Sequence, residues 1–201
     1  HQLRKNKLYW RPKDEASATE FTFTRFLAPY LNNMEGFCVF CDSDFIWECD
    51  IYEEFLPYIK KMEDKKLAVM CVQHDYSPKA KLKMNNIPQH PFPRKNWSSM
   101  MLFNCDHKDI HNLTLENINT KSPAWLHQMK WCDDENIGVL SHDYNYLVEV
   151  YSDKKDPKVI HYTNGGPWHK LYQKTEFYEK WFKYLDDDQL KRLDKEIERQ
   201  R

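Results

Sequence analysis

The sequence predicts an α/β protein, a buried sheet flanked by helices, and three observations lead there. Apolar runs of strand length, at 37–41, 66–73, 100–105 and 158–162, alternate with stretches whose apolar residues recur at helical spacing. Three of those runs end on groups that can do chemistry: Asp42 and Asp44, His74 and Asp75, and His161 just ahead of a Gly-Gly pair. In open α/β sheets ligands collect at such strand ends. Glycine is also scarce: four, where an average chain of this length carries about fourteen at ~7%. Each is therefore expected where the backbone needs it.

Taken in order, the first eighteen residues are polar, with Leu8, Tyr9 and Trp10 predicted to form a short strand or to dock on the body. From Thr19 to Asn33 the residues Phe23, Phe26, Leu27, Tyr30 and Leu31 fall at helical spacing, with Thr19 or Thr22 as cap and a kink at Pro29. Arg25 is the one charge amid those apolar residues, either a snorkelling side chain or a clamp for a phosphate or carboxylate. The strand Phe37–Cys41 stops at Asp42-Ser43-Asp44, and Asp50 can cap a helix from Ile51 to about Lys61. A second buried strand, 66–73, leads into some twenty residues from Ser77 to Asn96 with four prolines and five basic side chains (Lys79, Lys81, Lys83, Arg94, Lys95). A loop of that length either closes over an anionic ligand or is simply solvated.

Trp97-Ser98-Ser99 then opens the strand at 100–105, after which Asp106 is a helix cap and two short helices fill 107–131, the second opened by Pro123. An acidic cluster, Asp133-Asp134-Glu135, precedes a turn; 142–150 reads as half extended; and 158–162 is a last strand running into Thr163-Asn-Gly-Gly-Pro-Trp168. Two amphipathic helices, 175–201, complete the chain and are expected to pack on the same body.

With 201 residues the chain fits one domain with a sizeable core, and a net charge of −1 excludes non-specific nucleic-acid binding through a basic field. No apolar run nears the ~20 residues that span a bilayer, and no signal peptide opens the sequence. Cys38-x-x-Cys41 lies on a strand, where positions three apart face opposite ways, so the two thiols are not expected to act together. All six cysteines read as reduced thiols, and a cytoplasmic location is expected.

The Asp42/Asp44 pair offers hard oxygen ligands for a divalent cation, or else caps the following helix. Adding His161 gives a carboxylate–imidazole set suited to Mn²⁺ or a similar ion. The bare Gly165-Gly166 turn can bring backbone N–H groups close to a phosphate. Together they describe a site for a metal-bridged diphosphate.

Four stretches carry a resemblance: Thr19-Glu-Phe-Thr-Phe-Thr-Arg-Phe-Leu-Ala-Pro-Tyr-Leu31, Phe40-Cys-Asp-Ser-Asp44, Pro93-Arg-Lys-Asn-Trp-Ser-Ser99 with Leu102-Phe-Asn-Cys105, and His161-Tyr-Thr-Asn-Gly-Gly-Pro-Trp168. In this order, over about Trp10 to Trp168, they resemble small GT-A glycosyltransferases, similar to glycosyltransferase family 8 and to N-terminal domains of multi-domain proteins of large chlorella viruses. The resemblance implies a GT-A (Rossmann-like) mixed, mostly parallel sheet. It also implies transfer of a hexose, of glucose or rhamnose type, from a UDP-sugar to a glycan or glycoprotein hydroxyl with retention. By it, Asp42, Asp44 and His161 hold Mn²⁺ or Mg²⁺, and Ser43 lies beside the ribose. Gly165, Gly166 and Trp168 lie near the diphosphate, Arg25 touches the donor, and Ser98 and Ser99 face the sugar. Asp133 and Asp134 fall near the donor sugar and are the base candidates for an inverting reaction.

Two departures stand out. The family's His-x-x-Gly-x-x-Lys-Pro-Trp lacks its Lys here, leaving the metal, Lys95 or Lys170 as the cation for the leaving group. The strand and helix that help form the family's base pocket fall before the first residue, or base recognition is built differently. A metal-dependent nucleotidyl or phosphoryl transferase shares the Asp pair but needs no sugar-facing strand. A carbohydrate-binding module explains the tryptophans but not the Asp pair with His161.

Overall fold

In a computed structural model, which describes residues 2–12, 22–75, 92–153 and 155–200, the elements run in chain order as follows. Helices α1 (Gln2–Lys5) and α2 (Ala28–Leu31) precede strands β1 (Phe37–Cys41) and β2 (Phe45–Trp47). Helix α3 (Ile51–Lys65) leads to strands β3 (Val69–Cys71) and β4 (Met100–Asn104), then helices α4 (Leu115–Thr120) and α5 (Pro123–His127). Strands β5 (Ile137–Val139), β6 (Tyr146–Leu147) and β7 (Val159–His161) follow, and helices α6 (Tyr178–Phe182) and α7 (Asp187–Arg199) come last. The α/β expectation holds, with mixed sheets and helices. The contacts divide the chain into two compact units, one drawn from 1–42, 52–76 and 91–140, the other mainly from 43–51 and 141–201.

The first unit holds a four-stranded sheet in the order β1-β4-β3-β5. β4 runs antiparallel to both β1 and β3, and only β3 and β5 are parallel. In the second unit β2 pairs antiparallel with β7, and β6 parallel with β7. One mostly parallel sheet is thus corrected to two mixed sheets in which three of the five pairings are antiparallel. An apolar run such as Met100–Phe103 reads the same in either direction; what orients it is the Trp97–Ser99 turn, where Asp42 N donates to Ser99 O at 2.9 Å, so that β4 starts beside the end of β1.

The first core gathers Phe26, Leu27, Val69, Met101, Phe103, Ile110, Leu126 and Trp131. Tyr9 joins it, and the backbone N–H groups of Trp10 and Arg11 both donate to Asn119 Oδ1. The segment around Tyr9 therefore docks through a buried asparagine and forms no strand. The expected helix across Pro29 is instead a 3-10 turn, Thr24–Leu27, followed by α2 with Pro29 in its first turn, where a missing N–H costs nothing. Thr19 lies outside the described residues, as do 77–91 of the basic loop. Helix α3 runs four residues beyond the expected Lys61, to Lys65. Asp106 caps no helix; its Oδ2 accepts from Gly36 N at 3.1 Å and ties down the start of β1. Pro123 opens α5 as expected, behind a Ser122 cap. Cys38 meets Cys105 across the β1–β4 pair, Sγ to Sγ 3.6 Å, rather than Cys41, and the cysteines are free thiols.

In the second unit Val148, Ile160 and Tyr162 form the core, with Ile46, Trp168, Phe177 and Trp181 against it. The two C-terminal helices belong to this unit. Lys183 and Tyr184 bond Glu48 just past β2, and the Gln200 side chain bridges Trp168 O and Lys170 N. Helix α7 opens with a capping box formed by Asp186 and Gln189. Strands β2 and β5 have no counterpart in the sequence reading: each is three residues long, β2 is only half-buried, and β5 has Gly138 at its centre. Among the described residues no helix is long and apolar enough to cross a membrane.

Candidate metal centre

Asp42 is the residue after β1, and Asp44 is the residue before β2. The chain itself holds them two positions apart. His161 is the last residue of β7, and the antiparallel register sets it opposite Phe45, with Tyr162 N donating to Asp44 O at 3.0 Å. The start of β2 and the end of β7 are thus one end of one sheet. One ligand atom from each of Asp42, Asp44 and His161 lies within 4.8 Å of the others. His161 Nε2 is 3.4 Å from Asp44 Oδ1. His161 is buried (2% exposed), stacked on Phe45 with centroids 4.2 Å apart, and its Nδ1 is 2.8 Å from Asn145 Oδ1. Asn145 is wholly buried and went unnoticed in the sequence, where a lone Asn in an aromatic stretch carries no signal.

Arg25 is clamped onto Asp42, Nη1 to Oδ2 at 3.2 Å and Nη2 to Oδ1 at 2.9 Å. The same guanidinium donates to Ser98 O and Thr22 O and lies over the Phe40 ring. Arg25 is thus not a snorkelling side chain: it is held in an ion pair with the protein's own Asp42 carboxylate. Ser99 Oγ donates to Asn96 O, and Ser98 Oγ bonds His127 Nδ1 at 2.9 Å. Both serine hydroxyls are engaged within the protein, where they fix the turn that carries the Arg25 acceptor.

His127 packs against the rings of Phe23 and Phe26. Burial, aided by the Arg25 and Arg11 charges, pushes its pKa from the ordinary 6.5 down to about 3. The unfolded chain therefore takes up a proton that the folded chain refuses. The stability His127 confers is complete above its ordinary pKa and is lost as the pH falls from there toward 3. Within that window this group alone lowers the unfolding free energy by up to about 1.4 kcal/mol per pH unit. Urea unfolding at several pH values from neutral into that window should show a shallower dependence in His127→Gln. An unchanged slope would mean that His127 protonates freely in the folded chain.

The glycine pair has a local cause. Gly165 has φ +143°, and a Cβ there would lie 2.6 Å from the Tyr172 ring. A Cβ on Gly166 would lie 2.2 Å from the Trp168 ring. Trp168 in turn packs on Tyr162 and Trp181. The two rings lie where side chains would otherwise be, and a Gly-Gly turn is what admits them.

The remaining predicted residues are placed as follows. Ser43 is exposed, between the two aspartates. Asp134 is exposed and paired with Arg94 at 2.6 Å, and Asp133 is exposed with its N–H bonded to Asp109 Oδ2. Lys95 is buried, its Nζ 5.0 Å from the Phe92 ring centre, and Lys170 is exposed. The structure gathers Asp42, Asp44 and His161, and it gathers Arg25, Asp42 and Ser98; Asp133 and Asp134 answer to Asp109 and Arg94 instead.

No family model matches the chain, and no solved structure matches it. A curated relative does: "Protein CDI" of Arabidopsis thaliana is 41% identical over 190 residues, covering 92% of this chain and 71% of that protein. The chain belongs to the Protein CDI family. In this member of the Protein CDI family the donor set is two carboxylate groups and one imidazole, at most one of them solvent-sealed, and that set fits a hard or borderline divalent ion.

Proposed function

We propose that the chain is a metal-dependent glycosyltransferase that moves a hexose from a UDP-sugar to a glycan hydroxyl with retention. The observation that carries this reading is the convergence of Asp42, Asp44 and His161 within 4.8 Å. Support also comes from the four sequence stretches that resemble GT-A enzymes. Asp44 and His161 would hold Mn²⁺ or Mg²⁺ together with Asp42, whose carboxylate Arg25 orients. When bound, the ion supplies charge neutralisation at the departing nucleoside diphosphate. The exposed Ser43, between the two aspartates, would lie beside the ribose. Because Arg25 is committed to Asp42, Ser98 O and Thr22 O, its part in donor binding is to aim Asp42 rather than to grip the donor itself.

Retention needs no strong base, because the leaving phosphate oxygen accepts the proton of the acceptor hydroxyl. That suits a centre whose polar side chains are engaged in holding one another. The test incubates the chain with a panel of UDP- and other nucleotide-linked sugars and Mn²⁺, and measures nucleotide release. Release of UDP that needs Mn²⁺ and an acceptor supports the reading. Pyrophosphate release from a nucleoside triphosphate instead would assign nucleotidyl transfer, and failure to bind any nucleotide sugar in the presence of Mn²⁺ would overturn the reading altogether.

A further inference from the structure

We propose that Asn145 is a positioning residue of the metal centre: its side-chain carbonyl holds His161 as the Nδ1–H tautomer, so that Nε2 presents its lone pair toward Asp44. The inference rests on the metal-centre reading and names a residue which that reading leaves out. A neutral imidazole carries one N–H, and the hydrogen bond made by one nitrogen decides what the other can do. His161 Nδ1 lies 2.8 Å from Asn145 Oδ1, the length of a good N–H···O bond. On the other side, Nε2 lies 3.4 Å from Asp44 Oδ1, beyond the range of such a bond. The short contact therefore takes the proton, and the long one leaves room for an ion between imidazole and carboxylate.

The fold fixes this arrangement at each point. Asn145 closes the 3-10 turn His142–Tyr144, with its own N–H donating to His142 O, and β6 begins at the next residue. The parallel β6–β7 register pairs Tyr146 with Ile160 and Leu147 with His161, which brings Asn145 alongside the end of β7. Phe45 stacks on the imidazole at 24° and prevents the ring from tilting out of line. Asn145 is wholly buried, and burying an amide is costly unless its hydrogen bonds are made. A second partner of this kind, on the nitrogen that does not touch the metal, sets ring orientation and raises ligand basicity.

Two measurements on the full chain test this. Long-range ¹H–¹⁵N spectra of the metal-free protein should show a proton held on His161 Nδ1 toward Asn145 Oδ1. The reverse pattern, with the Asn145 amide turned to donate, overturns the role of Asn145. Mn²⁺ titration followed by electron paramagnetic resonance should then show that Asn145→Leu loses about ten- to a hundredfold in affinity. Asn145→Asp, whose carboxylate accepts the same proton, should recover most of it. Wild-type affinity in a folded Asn145→Leu chain overturns the proposal. Should Asn145→Leu fail to fold, Asn145→Asp and the tautomer spectrum still decide it. The failures are separable: a reversed tautomer in a chain that binds Mn²⁺ removes Asn145 alone, whereas the expected tautomer in a chain that binds no Mn²⁺ removes the metal reading and the inference with it.

Discussion

Asp44→Asn should weaken Mn²⁺ binding about a hundredfold while leaving the thermal unfolding midpoint nearly unchanged, whereas His161→Ala should lose the same affinity together with stability, because it empties the place of a buried ring and strips Asn145 of its partner. The two side chains face each other at one end of β2 and β7 and are two of the three candidate donors. Asp44 has 29% of its side chain exposed, so the loss of its charge is readily solvated. Asp42→Asn should behave differently. Asp42 is the acceptor of the Arg25 fork, and Arg25 is only 12% exposed in its side chain. Removing the carboxylate charge leaves a largely desolvated guanidinium uncompensated, so this variant should lose stability as well as metal affinity. Isothermal titration with MnCl₂, paired with calorimetry of unfolding, separates the cases. Undiminished Mn²⁺ affinity in Asp44→Asn would take Asp44 out of the ligand set. Equal stability of Asp42→Asn and wild type would show that the Arg25 clamp has no structural weight.

Gly166→Ala should destabilise the chain by about 3 kcal/mol, at the upper end of what overpacking costs. For a chain of this size that corresponds to roughly 6–12 °C in unfolding midpoint. The added Cβ would sit 2.2 Å from the Trp168 ring, a separation that no rotamer of Ala can relieve. Trp168 would have to leave its place against Tyr162 and Trp181, and with it the backbone carbonyl that receives Gln200. The ring-clash explanation is specific and so can be tested by a double-mutant cycle. In a Trp168→Ala background the ring is gone, and the penalty of Gly166→Ala should fall to a fraction of its value in the wild type. Additive penalties would overturn this account of Gly166.

The acid strand 37–41 with its Asp-Ser-Asp end, the strand before Gly-Gly, and the two amphipathic C-terminal helices were all legible, because burial and helical periodicity leave a local imprint. Asp42, Asp44 and His161 were legible as a set because each stands where an apolar run breaks into polar side chains. Arg25 was visible only as a misplaced charge; that its partner is Asp42 depends on the turn that carries Ser98 lying beside the end of β1. The scarcity of glycine marks Gly165-Gly166 as a backbone need, and in the structure that need comes from Trp168 and Tyr172 packing down on the turn.

By itself, then, the sequence determined the class of fold, the places of the buried apolar runs and the identity of the three metal-ligand candidates. These follow from local pattern: hydrophobic runs, periodicity, and donor atoms of the right hardness. Only tertiary structure decided the strand directions, the division into two mixed sheets, and the partners of the polar side chains. A buried strand reads the same parallel or antiparallel, and a short strand that is only half-buried, like β2, or broken by a glycine, like β5, leaves no apolar run to read. A hydrogen bond such as that between His161 and Asn145 joins residues 16 apart in the chain, a pairing set by the β6–β7 register and by no feature of either segment alone.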